Sequence, residues 1–225
     1  MKKITILSVA STILFFSCQG PSGDKAATAE TQEIAEQKGD TYTLDAANST
    51  LKWTGFHKGG LNPRFGILKS EGILTAERNE VTGGTFTIDM HSLLTDSTSV
   101  DPAISGGKTS NDLDAHLKNE DFFDVGKYPT AKFEITKVVA FDRTTTSVVE
   151  GANNTISGNL TIKDKTVNVT FPAKITVDAN GINIFSKFTI NRQNWGLTYG
   201  TEGDAKDWMI AQNVDIELSA DAKKK

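Results

Sequence analysis

Three histidines and one acidic pair are the side chains that could carry proton or metal chemistry in this chain. His57, His91 and His116 lie far apart in sequence, without the close spacing of a zinc site, and read as structural or solvated residues. Asp112 and Asp114 stand at the start of a helix signal, where carboxylates cap the helix and favour its positive end rather than acting as paired acids. No Gly-x-Ser-x-Gly elbow and no nucleotide-binding glycine loop occurs. With no catalytic set, cofactor motif or metal set, the sequence predicts a protein that is not an enzyme. What remains is apolar chemistry, in which each buried methylene contributes roughly 0.8 kcal/mol.

The elements that would position apolar groups are nearly all strands. The exception is the stretch from Thr109 to Phe133. Thr109 with Asp112 reads as a capping box, and Leu113, His116 and Leu117 follow on one helical face. Two leucines cannot hold so short a helix in water, so it must lie on a larger apolar surface. Phe122 and Phe123 come next, and Tyr128-Pro129 returns the chain to extended backbone. The segment reads as a lid over the open end of a sheet structure.

From Tyr42 onward the dominant period is two. Phe86, Ile88 and Met90 share one face of a strand, and Gly83-Gly84 at its start suggests a bulge or a close backbone approach. Ala131, Phe133 and Ile135 alternate in the next, then Ile156, Gly158, Leu160 and Ile162, with a turn at Lys163-Asp164. Val167, Val169, Phe171, Ala173, Ile175 and Val177 define the clearest strand, followed by Asn180-Gly181, a type I′ hairpin signal. Ile182, Ile184, Phe188 and Ile190 return, and Val214, Ile216 and Leu218 close the series. A sandwich and an up-and-down barrel both satisfy this pattern. A strand of about ten residues spans about 33 Å, which suits tilted barrel strands better. The expected fold is an all-β antiparallel barrel of about eight strands with one short helical lid.

The chain has 225 residues and a net charge of −4, with 37% hydrophobic content, as a soluble domain requires. Lys2 and Lys3 precede an apolar run from Ile4 to Phe16, the pattern of an export signal over residues 1–17. Ser17-Cys18 then resembles the cleavage site of a bacterial lipoprotein, with Phe15 where such signals usually carry Leu. The resemblance implies lipidation of Cys18 and a protein anchored to a membrane of the cell envelope, facing the periplasm or the cell surface. Loss of the two lysines takes the charge from −4 to −6, which excludes a nucleic-acid binder. Residues 18–40 contain few large apolar groups and read as a flexible tether, residues 41–221 as the domain and 222–225 as a polar tail.

His116-Leu117-Lys118, Asp121-Phe122-Phe123-Asp124, Tyr128-Pro129 and Phe133 together resemble the signature of the YceI-like family of polyisoprenoid-binding proteins. Three further blocks agree: Gly84 with Phe86-Thr87-Ile88-Asp89-Met90, Gly158-Asn159-Leu160-Thr161-Ile162, and Phe188 with Arg192 and Trp195-Gly196. The similarity runs from Tyr42 to Ala220 and implies a lipocalin-like barrel whose cavity receives an isoprenoid chain, a quinone tail or a polyprenyl lipid, with no catalysis and no cofactor. One departure is His57-Lys58-Gly59-Gly60 ahead of Pro63-Arg64-Phe65-Gly66, near the expected mouth where a head group would be recognised.

A dry core and a ligand cavity give the same alternation, so the residues alone also fit a structural or interaction lipoprotein whose barrel is filled by its own side chains. Gly55, Gly158 and Ala173 on inward faces either leave space or accommodate a neighbouring aromatic. The candidates to line a cavity are Leu117, Phe122 and Phe123 from the lid and Trp53, Phe86, Met90, Phe133, Phe171 and Phe188 from the strands, with Trp195. Arg192 is a candidate partner for a head group at the rim, or a surface ion pair. A carbohydrate-binding sandwich would need an exposed aromatic row, for which only Trp53, Trp195 and Trp208 are available. Monomer and homodimer both remain open.

Overall fold

The computed structural model describes residues 20–201 and 209–224. The export signal, Cys18 and Trp208 lie outside the described residues, so the expectations placed on them have no structural counterpart here.

Eight antiparallel strand positions close on themselves. In chain order they are β3 (Asp40–Leu44) with β4 (Thr50–His57), β5 (Arg64–Glu77), β6 (Glu80–Thr95), β7 (Thr130–Ala140), β8 (Asn154–Ile162), β9 (Lys165–Val177), β10 (Ile182–Asn191) and β11 (Ile210–Lys224). Strands β3 and β4 share one position between β5 and β11, interrupted at residues 45–49, where the Asp45 side chain accepts from Ala47 N and Asn48 Nδ2. Each remaining strand pairs with its successor in sequence, which is the up-and-down order expected from the alternation.

Two connections are tight because both central residues are left-handed: Arg78 and Asn79 (φ 53° and 63°), and Lys163 and Asp164 (φ 48° and 57°). The expected type I′ turn at Asn180-Gly181 is not formed. Asp178 Oδ1 instead accepts from Asn180 N and Gly181 N, and this side-chain turn leaves Asn180 without a positive φ.

Residues 20–40 correct the tether expectation: they form a strap around the outside of the barrel. Asp215 on β11, itself buried, accepts from Ser22 N at 2.7 Å and from Ser22 Oγ, Gly23 N and Thr189 Oγ1. Strand β1 (Asp24–Lys25) then runs parallel to β10, and β2 (Ala27–Ala29) antiparallel to β9. The strap fills a seam. The ladder between β9 and β10 stops after Phe185↔Lys174, because Pro172 has no N–H to donate, and Ser186 Oγ closes the break by donating to Pro172 O. Further along, Gln32 exchanges hydrogen bonds with the side chain of Asn159, Ala35 N donates to Ile135 O, and Lys38 meets Thr82. The predicted close approach at Gly83 is made by this strap, with Gln37 Cγ 3.2 Å from where a side chain would begin. The expected polar tail is also part of the wall: Ala222 is fully buried in β11, and Lys224 pairs with Asp40.

Helix α1 (Ser110–Lys118) forms as its capping box predicts, with Thr109 and Asp112 bonding reciprocally. Asp114 does not help to cap it. It is buried and accepts from Thr95 N at 2.8 Å, fastening the helix to the end of β6. No described helix is long and apolar enough to cross a membrane.

Candidate functional site

The barrel interior divides along its length. At the end carrying the Arg78-Asn79 turn, Tyr42, Leu74, Val81, Ile175 and Ile182 are buried against one another and fill the space. From mid-barrel to the lid the inward side chains leave a cavity of about 300 Å³. This volume falls within the range of small-molecule sites, about 300 to 1,000 Å³.

Each of the eleven candidate residues lines that cavity. Phe86, Phe133, Phe171 and Phe188 stand in a row across β6, β7, β9 and β10, with centroid separations of 6.5, 5.9 and 3.9 Å; the last pair is stacked at 4°. Gly158 belongs to this row for a steric reason: the Phe133 ring occupies the place of its absent side chain, 2.2 Å from an added Cβ. Gly55 is the opposite case, since the nearest atom to its missing Cβ is the edge of Trp53 at 4.0 Å. Its face of the wall is open.

Met90 continues the inward face of Phe86 and Ile88, and Leu93 joins it because β6 bulges. Between its pairings to Ile67 and Lys69, β6 runs from Leu94 to Asp89, and Ser92 Oγ both accepts from Lys69 N and donates to Asp89 O. The excursion turns Leu93 inward beside Met90 and leaves His91 exposed.

The lid closes the mouth with Leu113, Leu117, Phe122 and Phe123. His116 backs it as a packing residue, edge-on to Phe122 (5.1 Å) and Tyr199 (4.9 Å), with Nε2 3.2 Å from Asp121 Oδ2. Lys163 Nζ donates to Phe122 O at 2.7 Å, tying the segment to the β8–β9 turn.

Arg192 lines the cavity at its lid end and is buried, not in a surface ion pair. It is 5% exposed, and its guanidinium donates to the carbonyls of Leu197, Tyr199, Ile210 and Ala211, clasping the connection into β11. Burial pulls it below its ordinary pKa. Trp195 is 2% exposed and donates from Nε1 to Leu160 O at 2.8 Å. With Trp53 and Trp195 both lining the interior, neither supplies the outer aromatic row of a carbohydrate site.

His57 and Arg64, beside the sequence departure noted above, also line the cavity. The reading of His57 as structural or solvated did not place it on the cavity. Its signal was its place two and four residues beyond Gly55 and Trp53 on one strand face. Among the described residues, no group of three or more His, Cys, Asp or Glu could hold a metal ion.

The comparisons with known proteins agree with this architecture. A model of the YceI-like domain matches residues 42–222. A UPF0312 protein of Pseudomonas paraeruginosa is 36% identical over 98 residues, 43% of this chain and 47% of that protein. One from Staphylococcus aureus strain N315 is 30% identical over 119 residues, 48% and 60% of the respective chains. The chain thus spans about half the length of the curated relatives it matches. Among solved structures, BcnA of Burkholderia cenocepacia superposes with a TM-score of 0.57 at 19% identity, covering 80% of this chain and 99% of that one. A polyisoprenoid binding domain from Saccharophagus degradans, implicated in plant cell wall breakdown, gives 0.54 at 13% identity, over 86% and 100%. At these identities the two structures speak to the fold alone, whereas the domain match covers most of the sequence. The chain belongs to the family of proteins with a YceI-like domain.

Proposed function

We propose that this protein binds a long-chain isoprenoid lipid, of quinone or polyprenyl type, in the barrel cavity and carries, stores or sequesters it at the cell envelope without chemical change. The observation that carries this reading is the apolar void between the aromatic row and the lid. At about 24 cal/mol per Å³, a void of about 300 Å³ left empty forgoes about 7 kcal/mol of packing. A barrel with no ligand to hold would gain by filling that space, as its opposite end does. Binding then rests on desolvation, roughly 0.8 kcal/mol per methylene, so tails differing by one unit are discriminated only modestly. The polyisoprenoid binding ascribed to the Saccharophagus degradans domain supports the choice of lipid class.

Lipidation of Cys18 belongs to the same proposal and would hold the barrel at a membrane surface. The test is a thermal unfolding series with added prenylated quinone. A ligand at about 100 times its Kd should stabilise the fold by about 2.7 kcal/mol. An unchanged midpoint at saturating lipid would contradict the proposal.

A further inference from the structure

Resting on the isoprenoid reading, we propose that Leu61, Met209, Ile104 and the Ile67–Leu94 pair form a docking rim at the lid end, which sets the mouth of the cavity against a lipid bilayer. Of the nine large apolar side chains exposed among the described residues, these five lie at that end. Leu61, Leu94, Ile104 and Met209 are each more than half exposed. They also adjoin one another. His57 N donates to Leu61 O and Lys58 N to Met209 O, which brings the two backbones to one turn. Arg64 donates to Ser99 O and Ser105 Oγ and so draws the connection carrying Ile104 against that turn. Ile67 and Leu94 are cross-strand partners near the start of β5 and the end of β6. The rim is continuous with the cavity: His57 and Arg64, on either side of Leu61 in sequence, line it, as does Ile210 next to Met209. Contiguous exposed apolar groups of this kind mark a contact surface.

The ligand and the amino-terminal chain both point to a bilayer as the occupant. Each methylene moved from hydrocarbon into water lowers a lipid's free concentration about fourfold, so a tail of several isoprene units has to enter from a membrane touching the mouth. With Cys18 lipidated as proposed above, the strap sets the same orientation. Asp215 fastens Ser22, four residues after Cys18, and four residues reach at most about 14 Å. From Asp215 it is five residues to Ile210 at the lid end of β11 and nine to Lys224 at the end carrying the Arg78-Asn79 turn. On strands tilted by about 40° these are about 13 Å and about 23 Å along the barrel axis. A bilayer holding the acyl chains of Cys18 can therefore meet the lid end, while the opposite end is out of reach. Exposed Lys58 and Lys108 share the rim with exposed Asp96 and Asp101, so docking rests on apolar area rather than on head-group charge.

Depth-dependent quenching tests this. Protein purified from the membranes of its own cells and reconstituted in vesicles of phosphatidylethanolamine and phosphatidylglycerol would carry a fluorophore on Leu61→Cys, Ile104→Cys or, at the opposite end, Val139→Cys, with nitroxides on the lipid tails as quenchers. The labels at Leu61 and Ile104 should be quenched and the one at Val139 should not. Replacing Leu61, Ile104 and Met209 together by Ser should slow loading with prenylated quinone from that bilayer about tenfold or more. Thermal stabilisation by quinone offered in detergent should stay as in wild type, since none of the three lines the cavity. The rim is overturned if Val139 is quenched as strongly as Leu61 and Ile104, if neither of those two is quenched, or if the triple variant loads at the wild-type rate. It is overturned equally if Leu61 is already shielded in a dimer before vesicles are added, which would give the surface to a second copy. Quenched rim labels on protein that takes up no quinone would leave the rim standing and remove the isoprenoid reading; unquenched labels on protein that binds quinone would do the reverse.

Discussion

The two ends of this barrel are built from the same alternating strands, yet one is solid and the other hollow. At the solid end, Leu74 and Ile182 are fully buried against Tyr42, Ile175 and Val81. At the hollow end, Trp53, Met90 and Leu117 face a void covered by a helix and two phenylalanines. The two inward glycines draw the same contrast at one residue each: Gly158 is filled by the Phe133 ring, and Gly55 by nothing. Alternation tells which side chains point inward. Whether they meet depends on the groups opposite them, which is why a dry core and a cavity coexist within one pattern.

Substitutions should separate the halves. Leu74→Ala or Ile182→Ala removes packing from fully buried positions, and chemical denaturation should record a loss of about 2 to 5 kcal/mol with little effect on lipid affinity. Gly158→Val must displace the Phe133 ring and should cost about 1 to 3 kcal/mol. Gly55→Leu reverses the pattern: it should leave stability within about 1 kcal/mol while lowering lipid uptake more than about tenfold, because the new side chain occupies the ligand's space. Equal stability losses at the two glycines would break the comparison.

One further test concerns what closes the hollow half, and one lies away from it. Asp114→Ala deletes the bond from α1 to Thr95 N and should weaken the lid by about 1 to 3 kcal/mol, read as faster lipid release with the strand core still protected from hydrogen exchange. Asp45 gives the smallest effect. Its ion pair with Lys223 and its bond from Asn48 hold its pKa down to about 2. A lowered native pKa contributes stability above the ordinary carboxylate range that is lost as pH falls towards 2. Asp45→Asn should flatten that limb of the acid-stability profile while leaving lipid binding at neutral pH unchanged.

Much of the barrel was legible because its signals are local. The capping box placed α1, period two placed the long strands, and Lys163-Asp164 placed a turn. What was not legible lies in partners distant in sequence. Residues 20–40 have too few apolar groups to advertise structure, and what orders them is carried by the barrel. Asp215 holds Ser22 and Gly23, the buried Asn159 side chain bonds both Asn168 and Gln32, and Pro172 opens the seam that β1 and β2 fill. Arg192 was misread for a related reason: a guanidinium satisfied by four carbonyls leaves no acidic partner in the sequence to reveal it. The other ten candidates were identifiable as inward-facing aromatic and aliphatic groups, but the void between them follows only from their final separations.

The central claim is that the hollow half exists to hold hydrocarbon from elsewhere. Native mass spectrometry of the protein gently extracted from its own cells tests it most directly. The account predicts an isoprenoid mass bound to wild-type protein and missing from the Gly55→Leu variant. Wild-type protein that emerges empty, and stays empty when offered quinones or polyprenols, would contradict it.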